Sequence, residues 1–347
     1  MNNLVIIGNG FDLAHDMKTS YHHFIEYLIN KLCLEKTLSK YVFNMMSVQN
    51  YKELSMQISN NNFNEKDFIN RFMGVLLKDF SIKNWCDIES RYFDQLKKIG
   101  ENNSLYKSPQ ILNVHFDFIR KNLGDYLYTQ GKDTKAIESY KKMFSLIDSN
   151  ETTILNFNYT DTLKYLYSNE NKKSEIIHIH GELVNYKNPM IFGYAANDEE
   201  SRELIKKGDN EYMRNIKKHL YKRTENEKLL TYYLEGTKSI NVSILGHSCG
   251  LSDKLILNQI LNHKNIESIN IFYFEEYEQY FQQQVNIDRI MNNDIHFTKL
   301  VDFNSSHRMP QHNDTKEQQE AFIKYITPII EKRKSDLVKS KVRYNIL

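Results

Sequence analysis

The first apolar run of the chain, Leu4-Val5-Ile6-Ile7, is continuous and stops at Gly8-Asn9-Gly10. A run without alternation fits a strand buried on both faces, as in a parallel sheet covered by helices. Further strand signals follow at Thr152 to Phe157, Ile176 to Ile179, Met190-Ile191-Phe192, Ile240 to Leu245 and Ile269 to Phe274. Between the first two runs the apolar spacing changes to about 3.6 residues, the helical period. It predicts helices around Phe24, Leu28 and Ile29, with Thr19 or Ser20 as cap, and around Asp67-Phe68-Ile69. Others are predicted over Trp85 to Leu96, Ile111 to Leu123 and Ala136 to Ile147. Asn60-Asn61-Asn62 and Glu101-Asn102-Asn103 are the predicted breaks. The Lys- and Glu-rich stretch from Asp198 to Leu234 reads as helix with solvated faces. After Leu245 the pattern is helix (Leu251 to Leu261), strand, helix (Glu275 to Met291), and Glu317 to Lys332 predicts a last helix before a fraying basic tail.

Helical crossovers between buried strands are the signature of a parallel sheet. The expectation is an α/β protein: a Rossmann-like parallel sheet flanked by helices, with a large helical insertion after the first strand. The sheet-containing core is assigned to residues 1–20 and 151–310, and the insertion packed on it to 21–150. A second helical insertion is assigned to 198–235, and a C-terminal helix and tail to 311–347.

Composition narrows the class. At 347 residues, 40% hydrophobic and 26% charged, with 23 Tyr and 19 Phe, the chain is globular in character. A formal charge of +2 gives no reason to expect nucleic acid. Cys33, Cys86 and Cys249 form no C-x-x-C pair, which suits a reducing compartment. No basic leader is expected ahead of Leu4, and no apolar stretch approaches the ~18 residues of a membrane span. The chain is expected to be cytoplasmic, off the membrane, and compatible with an oligomer.

The candidate chemistry gathers where strands end. Gly8-Asn9-Gly10-Phe11-Asp12 follows the first strand, where glycines allow a sharp turn and close approach of backbone N–H groups to a phosphate. The dinucleotide pattern G-x-G-x-x-G fails at Leu13, and a tight turn with Asp12 as a cap is the plainer reading. Asn156-Phe157-Asn158-Tyr159-Thr160-Asp161 ends the second strand, with Asn156 and Asn158 on one side and Thr160 or Asp161 as a helix cap. His178-Ile179-His180-Gly181 ends the third. Its two histidines share a face, but no carboxylate pair or cysteine close in sequence completes a ligand set, so no metal is predicted. His180 beside a glycine suits a general base, and His178 a hydrogen-bonded buried histidine. Gly246-His247-Ser248-Cys249-Gly250, with Asp253 beyond, ends the fourth strand and formally matches the G-x-S-x-G nucleophile elbow. Asp288 or Asp302 with His296 or His307 would then complete a triad. Asp87 and Glu89, near Trp85, do not share a helix face and read as solvated or capping charges.

Taken together these motifs resemble the AbiH family of bacterial phage abortive-infection proteins. The resembling pieces are Ile6 to Leu13, Thr19-Ser20-Tyr21, Trp85 with Asp87 and Glu89, Asn156 to Thr160, His178 to Gly181, and Leu245 to Ser248 with Asp253. Asp16 stands where the family pattern expects glycine. The resemblance implies a role in limiting phage infection, and with it a phage-encoded trigger. A fainter resemblance links the same order of motifs to sirtuin-like NAD-binding domains. It implies that Gly8, Asn9, Gly10, Phe11 and Asp12 meet the cofactor, with Asn156, Gly246, His247, Ser248 and Asp253. It implies that Asn158 lies by the nicotinamide ribose and that His180 is the base. Asn156 and His247 replace threonines of that pattern, and the zinc-binding cysteines of the deacylases are absent, which points from deacylation to hydrolysis of NAD. The rival expectations are a serine hydrolase built on Ser248 and a non-catalytic sensor of a nucleotide or phage product.

Overall fold

Strand β1 (Asn2–Ile7) is buried on both faces: Leu4, Val5, Ile6 and Ile7 are all at most 3% exposed. That two-sided burial is why its sequence does not alternate. The computed structural model describes residues 2–34, 56, 60, 63–83, 87–131, 133–147, 151–170, 174–291 and 297–344. Side chains are described to Lys31 in the helix Tyr21–Leu34, to Asp79 in the next helix, and to Glu331 in the last. Trp85, Cys86, His296, Asn61 and Asn62 lie outside the described residues.

Five more strands join β1, namely β2 (Thr152–Asn156), β3 (Glu175–His178), β4 (Ile240–Leu245), β5 (Ile266–Tyr273) and β6 (His307–Arg308). Every pairing is parallel, and the order across the sheet is β3-β2-β1-β4-β5-β6. The α/β expectation holds. This is the doubly wound order, in which the chain leaves β1 toward one edge and returns beside β1 to build the other. The strand order switches between β1 and β4, and open α/β sheets bind their ligands at the carboxyl ends of the strands at such a switch. Ile7 pairs with Asn156 on one side and Leu245 on the other, so the segments after β1, β2 and β4 start at one level.

The chain divides into two compact units. The sheet unit is Met1–Met17, Gly131–Met190 and Tyr221–Leu347; the helical unit is Lys18–Gln130 and Ile191–Leu220. In the sheet unit one core carries Phe11, Tyr140, Phe144, Tyr167, Phe272 and Phe322 with the apolar residues of β1 and β2. A buried chain of donors runs through it. Ile137 N–H donates to Tyr167, whose hydroxyl bonds His15 Nε2 at 2.6 Å, while His15 Nδ1 meets the Phe11 carbonyl at 2.6 Å. The last helix continues through the basic stretch, spanning Lys316–Tyr344, instead of stopping near Lys332.

The helical unit packs aromatic rings: Tyr92 and Phe116 at 4.2 Å, Phe116 stacked on Phe192 at 4.9 Å. This corrects the strand expected over Met190-Ile191-Phe192, which forms none. Ile191 and Phe192 are fully buried as core residues of the helical unit, and a three-residue apolar run signals burial without specifying pairing. Ser20 caps the helix Tyr21–Leu34 by accepting from His23 N–H. No helix among the described residues is long and apolar enough to cross a membrane.

Candidate functional site

The turns after β1 and β4 are pressed together. Gly10 N–H donates to the Gly246 carbonyl at 2.7 Å, and Gly8 N–H to the Leu245 carbonyl at 3.0 Å. A Cβ on Gly8 would lie 2.5 Å from His247 Cα, and one on Gly246 would lie 2.3 Å from the Phe11 nitrogen. Gly246 also has φ of 67°, a conformation that disfavours any residue with a Cβ. These glycines therefore serve loop-to-loop contact. The N–H groups of Gly8, Gly10 and Phe11 are all satisfied within the protein, so the phosphate cradle expected from them is already closed. Phe11 itself is fully buried in the core, its ring 5.0 Å from Tyr140, so its side chain takes no part in a surface site. Asn9 and Ser248 are the exposed polar residues of the two turns. Asp16, in the place of an expected glycine, has φ of 62°, a conformation that aspartate tolerates better than most residues.

The segment after β2 is tied to the same junction. Asn156 accepts from Asn158 N–H at 2.9 Å and donates to the Thr160 carbonyl at 3.4 Å. It shapes the turn, and its amide is fully engaged there. Asn158 reaches across to the Gly8 carbonyl at 3.1 Å. Thr160 donates to Asp12 Oδ2 at 2.5 Å. Asp12 is 1% exposed, and its Oδ1 has no hydrogen-bond partner. Burial pushes its carboxyl up to about 6, against the lowering effect of Thr160, Thr162 and Asn158.

The two histidines after β3 separate into different clusters. His178 Nδ1 faces the Asn156 amide nitrogen at 3.3 Å, and Nε2 lies 3.5 Å from Asp161. Asn156 Oδ1 is held by Asn158 N–H, which leaves its amide nitrogen facing His178 Nδ1. The fold also brings Glu182 to this group, with one ligand atom from each of Asp161, His178 and Glu182 within 4.8 Å of the others. Glu182 follows directly on Gly181, and only Asp161 arrives from another turn, the one after β2. Burial lowers His178 from its ordinary value, offset in part by Glu182 and Asp161.

His180 belongs to a second cluster. Its Nε2 is 3.1 Å from Asp253 Oδ1, and His247 Nε2 is 3.3 Å from Oδ2 of the same carboxylate. Both imidazoles are nearly buried, and Phe157 sets its ring edge-on to each, at 5.1 Å to His180 and 4.2 Å to His247. His180 lies stacked with Tyr159 at 5.9 Å and with Tyr221 at 6.2 Å, and its Nε2 is 3.1 Å from the Tyr221 hydroxyl. Tyr221 was passed over in the sequence because it lies in a charged stretch that reads as solvated surface. His15 was missed for a different reason: a lone histidine on a short helix gives no periodic signal.

The serine-hydrolase constellation is not assembled among the described residues. The left-handed φ of 53° falls on Cys249, one residue past the serine of the elbow pattern. The His247 ring is engaged by Cys249 N–H and Asp253, and His307 Nδ1 by the Arg308 carbonyl. Cys249 is buried, and burial pushes its thiol up to about 12, which makes it inert.

Asp87 and Glu89 resolve within the helical unit. Asp87 caps the helix Ile88–Lys97 by accepting from Ser90 N–H at 3.0 Å. Glu89, expected on the surface, is 5% exposed; its carboxylate binds Lys217 Nζ at 3.1 Å and Gly193 N–H at 2.9 Å. The correction has a physical cause: a charge is tolerated inside when a partner meets it, and Lys217 lies 128 positions away in sequence.

Compared with known families, the chain matches the model described as bacteriophage abortive infection AbiH over residues 4–275. No curated protein matches its sequence.

Proposed function

This chain belongs to the AbiH family of bacteriophage abortive-infection proteins, and from that premise we propose that it hydrolyses NAD at the nicotinamide–ribose bond. The observation that carries the reading is the switch point. In a sheet of order β3-β2-β1-β4-β5-β6, the polar residues after β1, β2, β3 and β4 converge at one carboxyl edge. Nucleotides bind there in doubly wound sheets.

In this reading Asn158 orients the ribose hydroxyls or the attacking water, and His180 takes the proton. The water oxygen bonds to the ribose carbon, and the carbon–nitrogen bond breaks with its electron pair going to nicotinamide. The water proton passes to His180, leaving ADP-ribose. Positive charge develops on the ribose as the bond breaks, so placement and electrostatic stabilisation supply most of the effect. Asn9 and Ser248 are the exposed polar groups that would face the pyrophosphate, a role moved to them because the N–H groups of Gly8 and Gly10 are engaged. Loss of NAD would halt an infected cell, which is the outcome that abortive infection requires. A phage product is then the fitting trigger.

The test is to incubate the purified protein with NAD, with and without phage lysate, and to separate the products by chromatography. Nicotinamide and ADP-ribose should accumulate, and His180→Ala should lower the rate by about 10²–10⁴-fold, the usual contribution of a general base. Folded protein that leaves NAD intact under both conditions would overturn the hydrolase reading; saturable NAD binding without turnover would point to a sensor.

A further inference from the structure

We propose that Asp253 and His247 are positioning residues that fix the proton of His180 on Nε2 and so make Nδ1 the basic nitrogen. The proposal rests on the hydrolase reading only for its effect on turnover. Its geometric basis is independent. Cys249 N–H donates to His247 Nδ1 at 3.0 Å, so that nitrogen carries a lone pair and the His247 proton lies on Nε2. His247 Nε2–H therefore points at Asp253 Oδ2, 3.3 Å away. The other carboxylate oxygen, Oδ1, is 3.1 Å from His180 Nε2. The Tyr221 hydroxyl is also 3.1 Å from Nε2, but a hydroxyl can turn to accept whereas the carboxylate only accepts, so Asp253 selects the form of His180 with its proton on Nε2. The imidazole that faces a substrate in this tautomer does so with a basic Nδ1. A carboxylate that orients the far nitrogen of a catalytic histidine is a general device for selecting the tautomer.

The backbone is bent to permit it. Cys249 adopts φ of 53° and Gly246 φ of 67°, two left-handed residues within one short turn. The first directs the Cys249 N–H back onto the His247 ring, and Gln283 holds the His247 carbonyl at 2.8 Å. Left-handed backbone at a residue with a side chain is strained and persists where surrounding contacts enforce it. Here the enforced contact sets the protonation pattern of four groups joined by three contacts: Cys249 N–H to His247, His247 to Asp253, Asp253 to His180.

The experiment is nitrogen-15 NMR of the imidazoles in the full chain at neutral pH, on the parent, Asp253→Asn and His247→Gln. The parent should show His180 and His247 as Nε2–H tautomers. Asp253→Asn should turn His180 into a mixture of tautomers, and His247→Gln should do so more weakly. If NAD is turned over, Asp253→Asn should lower kcat by about 10²–10³-fold with KM little changed, because the tautomer and not the binding is altered. A His180 proton on Nδ1 in the parent, or an unchanged His180 spectrum in folded Asp253→Asn, would overturn the proposal. Expected tautomers in a protein that leaves NAD intact would support the positioning role and refute only the hydrolase reading.

Discussion

Asp12 in the sheet unit and Glu89 in the helical unit are carboxylates buried to nearly the same degree, 1% and 5% exposed. Their surroundings differ in kind. Glu89 meets a lysine and a backbone N–H, so its charge is balanced and both oxygens have donors. Asp12 meets the Thr160 hydroxyl and no cation, and one of its oxygens has no donor. Glu89 holds its unit together. Asp12 sits at the switch point with burial opposing its ionisation and no counter-charge among its described partners to offset that cost.

The contrast can be broken most forcefully at Glu89. Glu89→Ala removes a buried carboxylate that Lys217 binds at 3.1 Å and should lower stability by about 3–5 kcal/mol, read as the urea midpoint. A midpoint equal to that of the parent would show that the pair is not structural.

Asp12→Asn should move the other way. The unfolded carboxyl ionises near its ordinary 3.8 and the folded one near 6, so the fold binds that proton more tightly. The stabilising share is fully present below pH 3.8 and is lost as the pH rises through 6. At about 1.4 kcal/mol per pH unit, the loss by pH 7 is up to ~3 kcal/mol. The amide cannot ionise, so the variant should be more stable than the parent at pH 7.5 and equal to it at pH 3.5. An advantage of equal size at both pH values would remove ionisation as the cause.

The smallest effect belongs to Asp87. Its role is a helix cap, and Asp87→Ala should cost about 1 kcal/mol in thermal unfolding, with no change in the chemistry of the sheet unit. A loss as large as that at Glu89 would mean that the cap does more than satisfy Ser90 N–H.

The strands that were legible from sequence are those whose burial is uniform. β2 and β4 are buried along their whole length and β1 from Leu4 on, and each ends abruptly in polar or glycine residues. The edge strand β6 has only two residues and gave no signal. The site was legible as a set of positions, because a buried strand ending in Asn, His or Gly marks itself. The roles were not legible. Asn156 looks like a ligand group and is consumed by the turn it shapes, and Gly8 looks like a phosphate contact and is consumed by His247. Asn156 is engaged by partners two and four residues away, whereas Gly8 is engaged from across more than two hundred residues, which no local pattern records.

The junction of Gly8, Gly10 and Gly246 couples the first turn of the chain to one that is synthesised much later. A nascent polypeptide that ends before Ile240 holds β1, β2 and β3, Asn158 and His180, but has neither β4 nor Asp253. Fragments from stalled ribosomes or broken messages would thus lack the carboxylate that orients His180. Strand order delays the pairing of His180 with Asp253 until translation has passed β4.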